Sequence, residues 1–265
     1  MQDPGGTPHA ARMDNDLTDP AYWGVLQKQR GTHRDEPAVA ELAGKVITFF
    51  PPSEETTFIE LGCSPGTVSA ALYEKRRFKA FGVDFSPEAH LYLETMHKAG
   101  SLDAVLYQCD LRDLADTEDT EQFDVVGSFG LVEHFRKPAE IVGHHRRLCR
   151  ESGVVIITLP NFRYVPGIYH WLFDRRDLRA HNLNVMRLQA FKRLAEEFNL
   201  DILFLGYVGR LSFWNCDRSG PRLVVALRWL LSGIVRVLSN SLLSRLLPRD
   251  CAYFSPWIVF AARKR

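Results

Sequence analysis

The sequence predicts an α/β fold in which helices wind both faces of a mostly parallel sheet, and three observations carry that reading. After Pro51 and Pro52, short apolar runs alternate with helix-patterned stretches, the succession that builds parallel strands joined by right-handed crossovers. The first apolar run ends on a tight turn, Gly62-Cys63-Ser64-Pro65-Gly66, and passes directly into a helical stretch. The second run closes on an acid, Asp84, at the corresponding place. A chain of 265 residues suffices for one large domain of this class with additions.

Residues 1–16, rich in Gly, Pro, Asp and Asn, hold no apolar segment and are expected to be a disordered leader rather than a signal peptide. Residues 17–50 turn helical, with Tyr22, Trp23 and Leu26 followed by Val39, Leu42, Ala43 and Val46; His33 and Arg34 fall in a polar link between the two stretches. The core is expected over 51–208 and 251–265. Strands are read at 57–61, 79–83, 104–109, 123–128 and 154–159, with helices at 68–76, 87–98 and 138–150. A helix at 187–199, with Leu188, Phe191, Leu194, Ala195 and Phe198 on one face, leads to a strand at 201–207. The last apolar run, 253–261, stands apart from it behind a helical insertion, 209–250.

On a helical wheel the insertion sets Leu223, Leu227, Leu230, Leu231, Ile234 and Leu238 against Arg222, Arg228, Ser232 and Arg236, a basic amphipathic helix. Arg228 and Arg236 interrupt every apolar window long enough to span a bilayer. It reads as a cap on a ligand pocket, a homodimer surface through 222–247, or an element lying on a membrane interface. A formal charge of +1 gives no bulk reason to expect nucleic acid. Five cysteines without a C-x-x-C pair argue for neither zinc nor a disulfide framework, so a cytoplasmic setting is the default, with peripheral membrane association as the variant.

The glycine turn narrows the ligand. Glycine lets the backbone close on a ligand and adopt positive φ, while Pro65 suits a first helical turn. An acid at the carboxyl end of the second strand is placed to take both hydroxyls of a ribose. A dinucleotide fingerprint would set its third glycine at Thr67, and no Lys-Ser or Lys-Thr pair follows to make a P-loop. Glu60, facing the turn, would repel phosphate and suit an ammonium group. An adenosine with an amino-acid tail and a sulfonium charge fits better than one carrying phosphates.

The series E-L-G-C-S-P-G, G-V-D-F-S, Q-C-D-L, F-D-V-V-G-S-F-G-L-V-E-H-F and S-G-V-V-I-I-T-L-P-N resembles, in order and spacing, the motifs of the class I S-adenosylmethionine-dependent methyltransferases. The similarity covers 57–161 and runs on more weakly to about Gly206. One departure is Ser64, where the family more often has a second glycine. The resemblance implies a Rossmann-like, seven-stranded sheet whose final strand returns antiparallel. It also implies S-adenosylmethionine as cofactor, S-adenosylhomocysteine as product, and residues 17–50 as a lid; for Tyr22 and Trp23, plain packing on the sheet stands beside the lid role.

On that resemblance Glu60, Gly62, Cys63, Ser64 and Gly66 form the cofactor turn, with Cys63 itself a small packing residue. Asp84 would hold the ribose, Phe85 would lie on the adenine, and Asp110 would accept the adenine amino hydrogens beside the Leu111 backbone. Ordinary core is the alternative for Phe85 and Leu111, and helix or turn capping for both acids. The loop from Ser128 and Phe129 to His134 would pass beside the sulfonium. His134 is the first candidate base, against a role in ordering its loop. Some relatives present E-x-x-E-H and a later histidine to a divalent cation, but Gly130 stands where the first glutamate would be, so no metal is expected.

A connection of more than twenty residues follows the fifth strand and is expected to bind a small-molecule acceptor. Tyr164, Tyr169, His170, Trp171 and Phe173 would wall the acceptor, and Arg175, Arg176 and Arg179 would hold an acid; His181 is the second candidate base. A solvated charge ladder is the alternative for the charged residues. The expected reaction is direct displacement at the methyl group by an acceptor heteroatom, with oxygen ahead of nitrogen and carbon, on a metabolite, sugar or lipid-linked intermediate. Rival readings are an NAD-dependent oxidoreductase and an inactive relative kept as a binding module.

Overall fold

In the computed structural model, residues 15–18, 22–23, 37–117, 121–212, 222–240 and 248–265 are described. Most of the expected leader, His33 and Arg34 lie outside them. Seven strands form one sheet: β1 (Thr57–Leu61), β2 (Lys79–Val83), β3 (Val105–Tyr107), β4 (Phe123–Phe129), β5 (Cys149–Pro160), β6 (Leu200–Val208) and β7 (Trp257–Lys264). Their spatial order is β3-β2-β1-β4-β5-β7-β6. The first five pair in parallel, while β7 inserts antiparallel between β5 and β6. Alternation along β1 sends Phe58 to one hydrophobic layer and Ile59 and Leu61 to the other, so both faces of the sheet are buried.

The helices are α1 (Pro37–Val46), α2 (Thr67–Lys75), α3 (Leu91–Lys98), α4 (Leu111–Asp116), α5 (Pro138–Leu148), α6 (Tyr164–Phe173), α7 (Arg175–Arg179), α8 (Leu188–Glu197) and α9 (Arg222–Asn240). On α1, Leu42, Ala43 and Val46 are fully buried, as their spacing predicts. Five expectations shift at the edges. Pro65 precedes the helix instead of sitting in its first turn, because Gly66 is the N-cap of α2. The stretch 87–98 opens as a 3₁₀ turn, Pro87–His90, before α3. The third strand is shorter than 104–109, since Asp110 already turns the chain into α4. The fifth strand starts at Cys149, which takes the end of the helix expected to reach 150. The last strand begins at Trp257, four residues later than expected.

β1 lies between β2 and β4, so chain connections leave β1 and β4 in opposite directions across the sheet. A crevice opens outside the carboxyl ends of strands at such a switch point. That is where the turns after β1, β2, β3 and β4 converge.

Candidate functional site

The convergent turns line a cleft whose empty space, open mouth included, is about 810 Å³. Gly62 and Ser64 come from the turn after β1, Asp84 and Phe85 from the end of β2, Asp110 to Arg112 from the start of α4, and Phe129 to Leu131, His134 and Phe135 from the loop after β4. Asp84 is 9% exposed, and its two oxygens accept from the Ser64 amide at 3.0 Å and the Ser86 amide at 2.8 Å. Backbone donors thus fix the carboxylate at the cleft wall. Phe85 is 46% exposed, against the core alternative, whereas Leu111 is buried with one edge in the cleft. Gly62 has φ +70°, a conformation that residues with side chains rarely adopt, and a Cβ there would also press on the Leu131 side chain, 2.9 Å from its Cδ1.

Four residues assigned to the cofactor turn or loop stand behind it instead. Glu60 is 4% exposed, is hydrogen-bonded to Ser69 of α2, and is absent from the cleft lining. Burial above all, with the Asp84 charge adding to it against the Ser69 hydrogen bond, raises its pKa to about 8. It faces Ser69 and not the cleft, so the described geometry does not set it against an ammonium group as expected. Cys63 is fully buried, its thiol pushed up by burial and by the Asp84 and Glu60 charges, and it packs as expected. Gly66 makes the bend at φ +83° and does not line the cleft. Ser128 is fully buried, with its Oγ 2.9 Å from His145 Nε2, so its hydroxyl serves the interior.

Asp110 does cap a helix: its carboxylate accepts from the Arg112 amide at 2.9 Å and from the Arg112 guanidinium. The same guanidinium reaches Asp16 at 3.0 Å, and all three side chains are less than one-fifth exposed. Burial works against the Arg112 charge, but hydrogen bonds to Asp110 and Asp16 win and hold its pKa above the ordinary value. Burial likewise raises Asp16, opposed by Arg112. Asp16, expected in the leader, is instead bridged to Phe135, while the Leu17 amide donates to the His134 carbonyl at 2.8 Å. Asp16, Thr18 and Trp23 all line the cleft. The described residues 15–18 and 22–23 thus form a strap along the cleft, and the polar composition of residues 1–16 concealed the part Asp16 takes in it.

His134 lies under that strap. The Trp23 ring meets it edge-on with centroids 4.6 Å apart, and its Nδ1 sits 2.9 Å from the Ala180 carbonyl. A carbonyl only accepts, so Nδ1 carries the proton and the lone pair is on Nε2. His181 follows, with ring centroids 4.4 Å apart, and the ligand-capable atoms of Glu133, His134 and His181 all lie within 4.8 Å of one another. The fold therefore assembles three donors where the missing glutamate at Gly130 had argued against any. The acceptor wall assembles less well. Tyr169 is buried against Phe173 and Ser232, and Trp171 is 54% exposed with the Arg175 guanidinium 4.7 Å above it. Tyr164 packs on Tyr253 with the rings tilted, and Arg179 is exposed. None of Tyr164, Tyr169, Trp171, Arg175 and Arg179 lines the cleft, because α6 turns its aromatic face away from it. The side chain of Arg176 lies outside the described residues.

A methyltransferase domain model matches residues 32–204. The chain belongs to the methyltransferase domain family. Its seven-stranded order is that of the class I members, whose cofactor is S-adenosylmethionine. The chain is 30% identical over 105 residues to a ubiquinone biosynthesis O-methyltransferase of Pseudomonas paraeruginosa, covering 40% of this chain and 44% of that protein. It thus spans less than half the length of that curated relative. A methyltransferase of Archaeoglobus fulgidus shares the fold at TM-score 0.57 and 16% identity, over 92% of this chain and 99% of that one. So does a Thiobacillus denitrificans methyltransferase in complex with S-adenosylhomocysteine, at TM-score 0.54 and 15% identity, over 93% and 99%. The oxidoreductase alternative falls with the family.

This methyltransferase cleft fits the cofactor chemically. An immobilised carboxylate, an exposed aromatic ring and a glycine bend border one space, the set that a ribose, a purine and an amino-acid tail need. Asp84 would hold the ribose, Phe85 would cover the base, and Gly62 and Ser64 would admit the tail.

Proposed function

We propose that this methyltransferase moves the methyl group of S-adenosylmethionine to an oxygen of a small-molecule acceptor. The observation that carries the reading is that Asp84 and Phe85 border the same cleft as His134, so a nucleoside anchor and a candidate base address one space. The 30% identity to a protein named as an O-methyltransferase supports oxygen over nitrogen. When bound, the cofactor supplies an electrophilic methyl group on a positively charged sulfur. The chain's own residues position, shield and deprotonate. Asp84, held by two amides, needs no reorganisation to receive a ribose, and the strap with Trp23 excludes water. The Ala180 carbonyl orients the His134 ring so that Nε2 takes the acceptor proton.

Replacing Asp84 with alanine is expected to weaken S-adenosylhomocysteine binding by about 1.5–3 kcal/mol, read by calorimetry. His134→Gln is expected to lower kcat by about 10²–10⁴ with that affinity unchanged. Labelled S-adenosylmethionine offered with a panel of phenols, sugars and amines identifies the acceptor class. Label on amines alone would refute the oxygen assignment, and unchanged turnover in both His134→Gln and His181→Gln would show that proximity suffices.

A second reading rests on the convergence of Glu133, His134 and His181. These three could hold a divalent cation that acidifies an acceptor hydroxyl, with the Ala180 carbonyl fixing the imidazole of His134 as outer partners of metal-bound histidines do. Dialysis against EDTA should then abolish turnover, and Mn²⁺ or Mg²⁺ should restore it. Activity that survives chelation leaves the histidine as base.

A further inference from the structure

The insertion helix α9 is turned inside out. Among its described side chains Arg228 and Ser232 are the buried ones, at 7% and 8% exposure, whereas Leu223, Trp229, Leu230 and Val237 are 52–82% exposed. The reason lies in α6. The Arg228 guanidinium donates to the carbonyl of Phe173, the last residue of α6, and Ser232 Oγ lies 3.4 Å from the Tyr169 hydroxyl. A helix C-terminus carries orphan carbonyls and a partial negative charge, so a cation docks there favourably. With Arg228 and Ser232 fixed on α6, Leu223, Leu227 and Leu230 face outward. On α6, Ile168, Trp171 and Leu172 are exposed by 54–59% and extend the apolar surface.

We propose that the exposed face of α9 and α6 lies on an anionic lipid bilayer. Charge selects this occupant over a second copy of the chain. The insertion, residues 209–250, holds seven arginines and two aspartates, of which Arg228 faces the Phe173 carbonyl and Arg249 pairs with Glu41, although the whole chain has a formal charge of only +1, so the remainder is net acidic. Two copies meeting through this region would set like charges together, whereas an acidic membrane surface complements them. Aromatic rings beside guanidinium groups mark the rim: Arg175 lies 4.7 Å over Trp171 and Arg163 lies 5.6 Å over Tyr164. Such pairs suit the headgroup layer, where one side of the ring is apolar and the other wet. No helix among the described residues is long and apolar enough to cross a membrane, so α9 rests in the interface plane.

The test is flotation of the full chain with vesicles of phosphatidylcholine alone or mixed equally with phosphatidylglycerol. The protein is expected to float with the mixed vesicles and to stay behind with neutral ones. Leu230→Glu with Ile234→Glu, and separately Ile168→Glu, should each cut flotation about tenfold. These positions are exposed, so melting temperature and S-adenosylhomocysteine affinity should not change. Flotation that survives both variants, or is equal on neutral vesicles, overturns the proposal. So does a dimer in light scattering that the α9 variant splits while no vesicle binds.

Discussion

Glu60 and His145 are buried ionisable side chains that resist charge in opposite senses. Burial raises Glu60 to about 8 and lowers His145 to about 4. A folded-state pKa raised above that of the unfolded chain gives stability that is present below the unfolded value, near 4.5 for Glu60, and is lost as pH climbs through 8. For His145 the unfolded chain gains protons first, so stability is present above about 6.5 and falls as pH drops toward 4. Between the two unfolded values the slopes oppose each other. Between pH 6.5 and about 8 the Glu60 loss acts without that opposition, at up to roughly 1.4 kcal/mol per pH unit; above that the thiols of Cys63 and Cys149, raised by burial, add a decline of their own. Glu60→Gln should flatten the decline between 6.5 and 8, as urea titrations at pH 6, 7 and 8 would report; a decline as steep as in the unaltered protein would mean that Glu60 is charged in the fold. Sequence could not set these values, because it shows a glutamate beside a glycine turn and not the Ser69 hydroxyl that closes over it. Asp84 was legible for the opposite reason: the end of a strand fixes where its side chain goes.

At the scale of elements, the strands and their connecting helices were readable because apolar runs and breakers alternate, and β1 and β2 fall on their expected bounds. The strap was readable in part: the lid expected over 17–50 takes in Thr18 and Trp23, whereas Asp16, placed in the leader, is held by a bridge to Phe135 and hydrogen bonds that no apolar pattern announces. The same is true of α6: its aromatic composition suggests a pocket wall, but only packing decides that Tyr169 meets Ser232 and Trp171 faces out. The strap depends on the Asp16–Arg112 pair, so Asp16→Ala is expected to speed S-adenosylhomocysteine release about three- to tenfold in stopped flow. The melting temperature should move little, because the sheet does not rest on the strap.

For the whole molecule, the order β3-β2-β1-β4-β5-β7-β6 brings four turns to one edge and leaves β6 and β7 to carry the insertion on the far half of the sheet. Residues distant in the chain, Asp16, Asp84, Asp110 and His134, meet there only because of that order. Asp16 pairs with Arg112 and Trp23 lies on His134, both along the same cleft. Nucleoside and methylated product would then pass the same residues on leaving, so turnover with chemically dissimilar acceptors is expected to converge on one ceiling, as steady-state kinetics with two acceptor classes would report.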